Sequence, residues 1–567
     1  MSQYEFRGDL SIVLSGEAGQ GIQTIESMLT SLAKKGSYYV FATKEYMSRV
    51  RGGCNSTEIR VSSSPVSSRV SRIDILVALT AGAIPHLGER IGEGTLVLGE
   101  KEIVGYEGMI DLPLTAIARE IGSPIYSNSV AVGAICGLLK LERSVCEAGI
   151  RGLFSTKGAE VQEANARALL KGYELGVELG RSVKVDIGPP ADLSGDIMLT
   201  GAEALSLGAI AGGCDYVCAY PMSPGTTVLT TMAEYSKRMD ILVEQVEDEI
   251  GVANMALGAW YAGARALVTT SGGGFALMGE AVSLAGMIET PLVIHIAQRP
   301  GPATGLPTRT EQGDLNLAMH AGHGDFLRVV LAPGDLAEGF ELMRAAFDVA
   351  DRFQSPVFVL SDQYYVDSYY TTPPFALPDR ILSNETIATD RGYKRFALGS
   401  RSGLSPRGLP GRGEGIVCVD SDEHDEGGYI TEDPGLRRAM VAKRLAKIEA
   451  VRSAVIPPRL YGGENGYRVL LLGWGSVKRP ILEALAALHR PDVAYLHFPW
   501  VFPLPDGVAE CMGRAGVCVA VEGNATGQLA DLVELETGNR IDRRILKSDG
   551  SQFAVEELVE RISANAV

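Results

Sequence analysis

Four junctions within residues 220–314 constrain this chain more than any other feature of it. They are Tyr220-Pro221-Met222-Ser223-Pro224-Gly225-Thr226-Thr227, the acidic run Glu247-Asp248-Glu249, the turn Ser271-Gly272-Gly273-Gly274, and Gln298-Arg299-Pro300-Gly301-Pro302. Each stands where an apolar strand-like run ends and a helical pattern or an irregular loop begins. Short connections of this kind give β-α-β-α-β and hence a parallel sheet. In an open α/β sheet the carboxyl ends of the strands form the ligand crevice, so chemistry is expected there.

Residues 240–246 form a short β-prone run, and residues 248–261 carry small and apolar side chains at mixed helical spacing. Glu249 therefore falls in a first helical turn, facing back toward the strand end. Residues 265–270 read as a buried strand of the parallel kind, 275–287 as a helix and 291–297 as a further strand.

These motifs, with Met232-Ala233-Glu234-Tyr235, Glu249-Ile250-Gly251, Thr269-Thr270-Ser271-Gly272 and the long run from Gln298 to Thr308, resemble the alpha subunit of 2-oxoacid:ferredoxin oxidoreductases. The Arg-Pro-Gly-Pro run most resembles the 2-oxoglutarate members. The resemblance covers nearly the whole chain and implies several parallel-sheet α/β domains, among them a thiamine diphosphate-binding pyrimidine domain and a transketolase C-terminal-like domain.

At 567 residues the chain exceeds one core and suggests three or four domains of roughly 150 residues. The expected partition is a gamma-type domain over 1–182, a linker over 183–196, the pyrimidine-binding domain over 197–372, an extended arm and helix over 373–457, and the C-terminal domain over 458–567. A net charge of −17 argues against non-specific nucleic-acid binding. The charged N-terminus and the lack of an apolar run near ~20 residues argue against a signal peptide and a membrane span. A cytoplasmic protein is expected.

The eight cysteines include no Cys-x-x-Cys pair, whereas an iron–sulfur cluster needs about four closely presented thiolates. If the resemblance holds, electrons leave through another subunit.

Taken in order, residues 10–15 read as a strand leading into the glycine cluster Gly16-Glu17-Ala18-Gly19-Gln20-Gly21 and a helix through Lys35. Such a turn either lets backbone amides approach a phosphate or is a tight packing turn; its spacing is not the dinucleotide fingerprint. Residues to about 180 resemble the family's gamma unit, which helps enclose coenzyme A. That implies CoA-binding roles for Gly19, Gln20, Arg49 and Arg51, the alternative for the arginines being a solvated basic loop. Residues 183–196 mix prolines, glycines and acids, a linker by composition. Residues 373–410 look like an arm packed on a neighbour rather than a core. The turn Glu423-His424-Asp425-Glu426-Gly427 suggests metal ligands, but consecutive residues rarely converge on one ion, so a hydrogen-bonded turn without metal is expected. Residues 439–455 form a charged helix, and strands at 467–473, 492–497 and 517–522 lead to Asn524 and Gln528, expected at a strand end facing the other domains.

The resemblance also carries chemistry. A 2-oxoacid cannot lose CO2 directly because the acyl carbanion has no stable place, and thiamine diphosphate supplies an electron sink. In thiamine enzymes a glutamate at a helix start serves the pyrimidine ring, and Glu249 matches it. Tyr220, Pro221, Ser223, Ser271 and Gly272 match cofactor-binding positions. Arg299, Thr226 and Thr227 match substrate-binding ones, where a cation and a hydroxyl would meet the 2-oxocarboxylate. Alternatively Thr226 caps its helix and Arg299 pairs with Glu311 or Asp314. The chain has no Gly-Asp-Gly diphosphate motif. The implied partner is a beta subunit bringing Mg2+, the diphosphate site and a [4Fe-4S] cluster, with ferredoxin as acceptor and an (alpha-beta)2 assembly. A nicotinamide-dependent dehydrogenase and a CoA-binding ligase subunit remain the alternatives, although neither motif set is clear.

Overall fold

The computed structural model describes residues 4–47, 53–377, 385–464 and 466–565. It divides into two compact units. The first comprises Met1–Leu199, Ser368–Pro374 and Ala554–Glu557; the second comprises Thr200–Asp367, Phe375–Phe553 and Leu558–Val567. No helix of the described residues is long and apolar enough to cross a membrane.

In the first unit the strand Leu10–Glu17 is the hinge of a mixed sheet. On one side Ile75–Ala78, Leu96–Gly99 and Ile110–Asp111 follow in parallel. On the other, Cys54–Ser62 and Tyr39–Glu45 run antiparallel, because the link between them is too short for a crossover. The returning segment Tyr369–Thr372 extends that side, antiparallel to Tyr39–Glu45. The stretch expected as a linker begins instead with a strand, Val183–Asp186, parallel to Tyr4–Arg7. Val183 and Val185 are buried while Lys184 and Asp186 are exposed, an alternation masked by the prolines that follow.

The second unit holds two sheets. The larger places Leu242–Gln245, Tyr216–Ala219, Ala266–Thr270, Leu292–Gln298, Pro356–Asp362 and Val329–Leu331 side by side and parallel. Apart from the partly exposed edge strand Leu242–Gln245, these strands are largely apolar and buried, as strands covered by helices must be. From Tyr216–Ala219 the chain goes first to one neighbour and then to the other, so the strand order reverses beside it. Ligands bind at such a switch point. The edge is closed by Trp500–Phe502, antiparallel to Val329–Leu331, which comes from the segment carrying the smaller sheet. That smaller sheet has Val493–Phe498, Val469–Trp474, Val517–Glu522 and Arg543–Leu546 in parallel, with Arg459–Tyr461 antiparallel at its edge.

The arm expected to pack on a neighbour is instead built into this unit. Arg395 and Phe396 are buried; Arg395 Nη1 donates to Gln354 Oε1 at 2.9 Å, and Nη2 to the Glu289 carbonyl. Gln354 ends the helix Leu336–Phe353 in a left-handed conformation, and carbonyls at such turns need donors from outside the helix; the Gln354 carbonyl accepts from Lys447 Nζ at 3.2 Å. The irregular segment instead binds the Gln354 side chain and the Glu289 carbonyl through Arg395.

Candidate functional site

The turn after Tyr216–Ala219 and the turn after Ala266–Thr270 meet at the switch point. Gly225 lies so close to the second strand that a Cβ there would come within 2.6 Å of the Thr270 carbonyl. Thr269 Oγ1 donates to the Gly225 carbonyl at 3.1 Å. It also contacts His295 Nδ1 at 2.9 Å, while His295 Nε2 meets Ser361 Oγ at 2.7 Å. Burial pushes the His295 imidazole down to about 3. It is a neutral cross-strand tie between three strand ends.

Glu249 opens the helix Glu249–Ala262. The residue before it, Asp248, does the capping: its Oδ1 accepts from the Gly251 amide at 2.7 Å. The Glu249 carboxyl is thereby left to turn inward, where the residue is 5% exposed. Its Oε1 is buried without a hydrogen-bond partner. It rests on the next helix start, since a Cβ on Gly274 would lie 2.8 Å from Glu249 Oε1 and 2.3 Å from Thr270 Oγ1. The helix expected from 275 begins at Gly272, which brings these glycines under the carboxyl.

Three more buried polar atoms around this crevice lack partners: Ser271 Oγ, Arg299 Nε and Asp314 Oδ2. Buried polar groups are nearly always hydrogen-bonded, and four such exceptions, three just past strand ends and one before the helix Leu315–Met319, mark a place shaped for another molecule. Arg299 follows the strand Leu292–Gln298; its Nη1 donates to the Ser223 carbonyl at 2.6 Å. Among the described residues it forms no salt bridge with Glu311 or Asp314. Burial lowers its pKa, with Asp314 opposing. Thr226 begins the helix Thr226–Tyr235 but does not cap it, the cap position being Gly225. Thr227 Oγ1 lies 3.5 Å from Asp367 Oδ1. Tyr220 and Ser223 are exposed at the rim, and Pro221 is half-buried.

Asp314 and Gln312 are residues that sequence reasoning did not assign to the site. Burial, reinforced by Glu311 and opposed by Arg299, pushes the Asp314 carboxyl up to about 7. Gln312 fastens this loop to the smaller sheet: its Nε2 donates to the Trp474 carbonyl at 2.7 Å and its Oε1 accepts from the Gly523 amide at 2.8 Å. Asn524 Nδ2 donates to the Gln312 carbonyl at 3.2 Å, and Gln528 Nε2 to the Gly313 carbonyl at 2.9 Å. Both therefore face the neighbouring α/β layer from a strand end. Asp362, at the end of its strand, is also buried, and burial raises it to about 6. For Asp362 the available signal was a polar residue at the end of an apolar run, whereas Gln312 and Asp314 follow the polar stretch Thr308-Arg309-Thr310-Glu311, which carries no such signal.

Gly19 and Gln20 belong to the first unit. Gln20 Oε1 accepts from the Glu17 amide at 2.8 Å. Beside the turn is a cavity of ≈ 300 Å³ lined by residues including Gly19, Thr24, Lys44, Tyr46 and Asn55. Gly19 is open, whereas a Cβ on Gly21 would meet Asn128 Nδ2 at 2.0 Å, so one turn combines an open glycine with a packing one. Arg49 and Arg51 lie outside the described residues.

The turn at 423–427 is closed by its own hydrogen bonds. Asp425 Oδ1 accepts from the Gly427 and Tyr429 amides, and Glu423 accepts from Arg444 at 3.0 and 2.9 Å. Among the described residues no group of three or more His, Cys, Asp or Glu is placed to hold a metal. Cys214 and Cys218 are buried free thiols, and burial pushes Cys218 up to about 12.

Residues 207–443 match the family described as "Pyruvate flavodoxin/ferredoxin oxidoreductase, thiamine diP-bdg", and residues 11–175 that described as "Pyruvate ferredoxin/flavodoxin oxidoreductase". The chain is 32% identical to 2-oxoacid:ferredoxin oxidoreductase 1, subunit alpha, of Aeropyrum pernix, over 98% of this chain and 97% of that one. It is 29% identical to the 2-oxoglutarate oxidoreductase subunit KorA of Mycobacterium tuberculosis, over 98% and 91%. Among solved structures, 2-oxoglutarate:ferredoxin oxidoreductase from Magnetococcus marinus, with 2-oxoglutarate, coenzyme A and succinyl-CoA bound, superposes with a TM-score of 0.92. That match has 29% identity and covers 99% of this chain and 100% of the other.

Proposed function

Since the chain belongs to the alpha subunits of the 2-oxoacid:ferredoxin oxidoreductases, we propose that with a beta subunit it converts 2-oxoglutarate, CoA and oxidised ferredoxin to succinyl-CoA, CO2 and reduced ferredoxin, using thiamine diphosphate. The observation that carries this reading is the inward, buried, unpartnered Glu249 carboxyl over Gly274 at the switch point. A carboxyl so placed fits a ring nitrogen of the cofactor's pyrimidine, and the missing Cβ of Gly274 is what lets the carboxyl lie there. Ser271 and Gly272 would hold the same ring edge, with Tyr220, Pro221 and Ser223 at the rim. When bound, thiamine diphosphate supplies the electron sink that decarboxylation of a 2-oxoacid requires.

The chain's own residues do the rest. Glu249 holds and returns a proton at its Oε1, shielded from water so that the proton is not lost to solvent. Arg299, anchored by Ser223 and with Nε free, presents a charge-assisted donor to the 2-oxocarboxylate. Thr226 and Thr227 offer hydroxyls from the first turn of their helix. CoA is assigned to the cavity beside Gly19 and Gln20, with Arg49 and Arg51 as further contacts. Mg2+, the diphosphate site and a [4Fe-4S] cluster are assigned to the beta subunit, in an (alpha-beta)2 assembly.

The choice of 2-oxoglutarate is supported by the descriptions of the Mycobacterium tuberculosis and Magnetococcus marinus relatives. The test is CoA-dependent viologen reduction by the chain co-purified with its beta subunit. A kcat/KM for 2-oxoglutarate well above that for pyruvate and branched-chain 2-oxoacids is expected, and a preference for pyruvate would overturn the substrate assignment.

A further inference from the structure

One titratable group in the crevice has no part in the chemistry described so far. Asp314 is held by its backbone: its amide donates to Gln298 Oε1 at 3.0 Å and its carbonyl accepts from the Ala318 amide at 2.9 Å. Its carboxyl is held by nothing comparable. Oδ2 is buried without a partner, and both oxygens occupy the space a Cβ on Gly272 would need, Oδ1 at 2.2 Å and Oδ2 at 2.4 Å. The charged groups facing it are Arg299, from the end of its strand, and Glu311, from its own loop. Ser271 and Gly272 from the strand–helix turn, and Gln298, bring no charge.

An ionised carboxylate beside a guanidinium in a low-dielectric pocket gains from closing a salt bridge. Here none is formed, and Arg299 directs its Nη1 to the Ser223 carbonyl instead. A buried unpaired carboxylate is costly, while a neutral carboxyl is tolerated and carries an O–H donor. Burial and Glu311 act in that direction. Two donors, Arg299 Nε and a protonated Asp314, then border one crevice with nothing to accept from either. A carboxylate accepts from both.

Building on the assignment of Arg299 as the cation for the 2-oxocarboxylate, we propose that Asp314 is a second substrate-binding group, donating an O–H···O hydrogen bond to that carboxylate while it carries its proton. Once ionised, Asp314 repels the substrate and competes for Arg299. The 2-oxoacid is anionic throughout the neutral range, so the titration that matters is that of the protein.

The experiment measures KM for 2-oxoglutarate at saturating CoA between pH 6 and 9, on the chain assembled with its beta subunit. In the wild type KM is flat below about pH 7 and rises about tenfold per pH unit above it. Asp314→Asn keeps a neutral N–H donor and cannot ionise, so its KM loses the alkaline rise and stays within a few-fold of its own low-pH value up to pH 9. The same alkaline rise in Asp314→Asn overturns the proposal. So does failure of that variant to assemble, because a carboxyl that supports no part of the fold is replaceable by an amide. Arg299→Ala is measured alongside at pH 6. An unchanged KM there defeats the Arg299 assignment itself, whereas a raised KM with the alkaline rise persisting in Asp314→Asn defeats the Asp314 proposal alone.

Discussion

At the junction around Glu338 every buried charge is answered, whereas at the Glu249 crevice, in the same unit, the buried polar atoms are left open. Glu338 accepts from Lys478 at 2.7 Å, from His497 at 2.8 Å and from the Gly334 amide at 2.8 Å. A second closed cluster surrounds Glu289, which accepts from Lys443 and Lys447, the latter at 2.6 Å, while Arg395 takes its carbonyl. Against burial, which opposes it, Lys447, Lys443 and Arg395 bring Glu289 down to about 2. Glu249 Oε1, Ser271 Oγ, Arg299 Nε and Asp314 Oδ2 have nothing. Burial alone therefore does not identify function in this molecule. Satisfied buried charge fastens segments distant in the chain; single unpartnered atoms such as Arg407 Nε, His424 Nε2 and Trp500 Nε1 also occur elsewhere, and what sets the crevice apart is that four of them gather around it.

The contrast breaks most sharply at Glu249. In the assembled enzyme Glu249→Gln is expected to lower kcat by ~10²–10⁴-fold, the scale of a positioned acid–base group, with an unchanged thermal midpoint. Exchange of the thiazolium C2 proton for deuterium is the direct measurement; equal rates in wild type and variant would reduce Glu249 to a dipole-stabilising charge at its helix start. The reverse pattern is expected at the closed cluster. Glu289→Ala strands Lys443 and Lys447 without their carboxylate and should cost about 3–5 kcal/mol of stability, read by denaturant unfolding, while the KM values of material that still assembles stay near wild type. A catalytic defect without loss of stability would erase the distinction between the two regions.

Arg299→Ala is expected to raise KM for the 2-oxoacid by an amount equivalent to about 2–5 kcal/mol and to leave KM for CoA nearly intact. Steady-state kinetics with each substrate varied in turn decide it, and the inverse result would exchange the assignments of the two cavities.

The smallest expected effect is the pH dependence of stability, where each proton that folding takes up or releases changes stability by about 1.4 kcal/mol per pH unit. The folded value of Glu289 lies below its unfolded value of about 4.5, so its contribution is present above that pH and is lost as pH falls toward about 2. Lys447 is a base that burial lowers to about 7, so its ionisation opposes folding at low pH and stability recovers as pH rises from about 7 toward 10.5. Unfolding midpoints across pH 3–9, compared with Lys447→Met, should show both limbs in the wild type. In the variant the rise above pH 7 should vanish and the acid limb should remain but shrink, because Lys447 is the largest of the charges that lower Glu289.

Much of the fold was legible because its signals are local. The apolar runs 265–270 and 291–297 became Ala266–Thr270 and Leu292–Gln298, their ends set by the turns that follow. Other stretches misled for equally physical reasons. Val183–Asp186 hides a two-residue alternation among prolines, and the arm around Arg395 looks like surface chain because its partners, Gln354 and Glu289, lie far back in the sequence.

The candidate site divides along the same line. By itself the sequence determined that an acid stands at a helix start, that glycines follow the next strand and that an arginine follows the one after, because strand ends and helix starts depend on neighbours a few residues away. Only the tertiary structure decided that Glu249 finds no partner over Gly274, that Asp314 fills the space Gly272 leaves, and that Gln312 is tied to Gly523 across 211 positions. Whether a buried polar atom is satisfied depends on everything packed around it, and that neighbourhood comes into being only when distant strands meet.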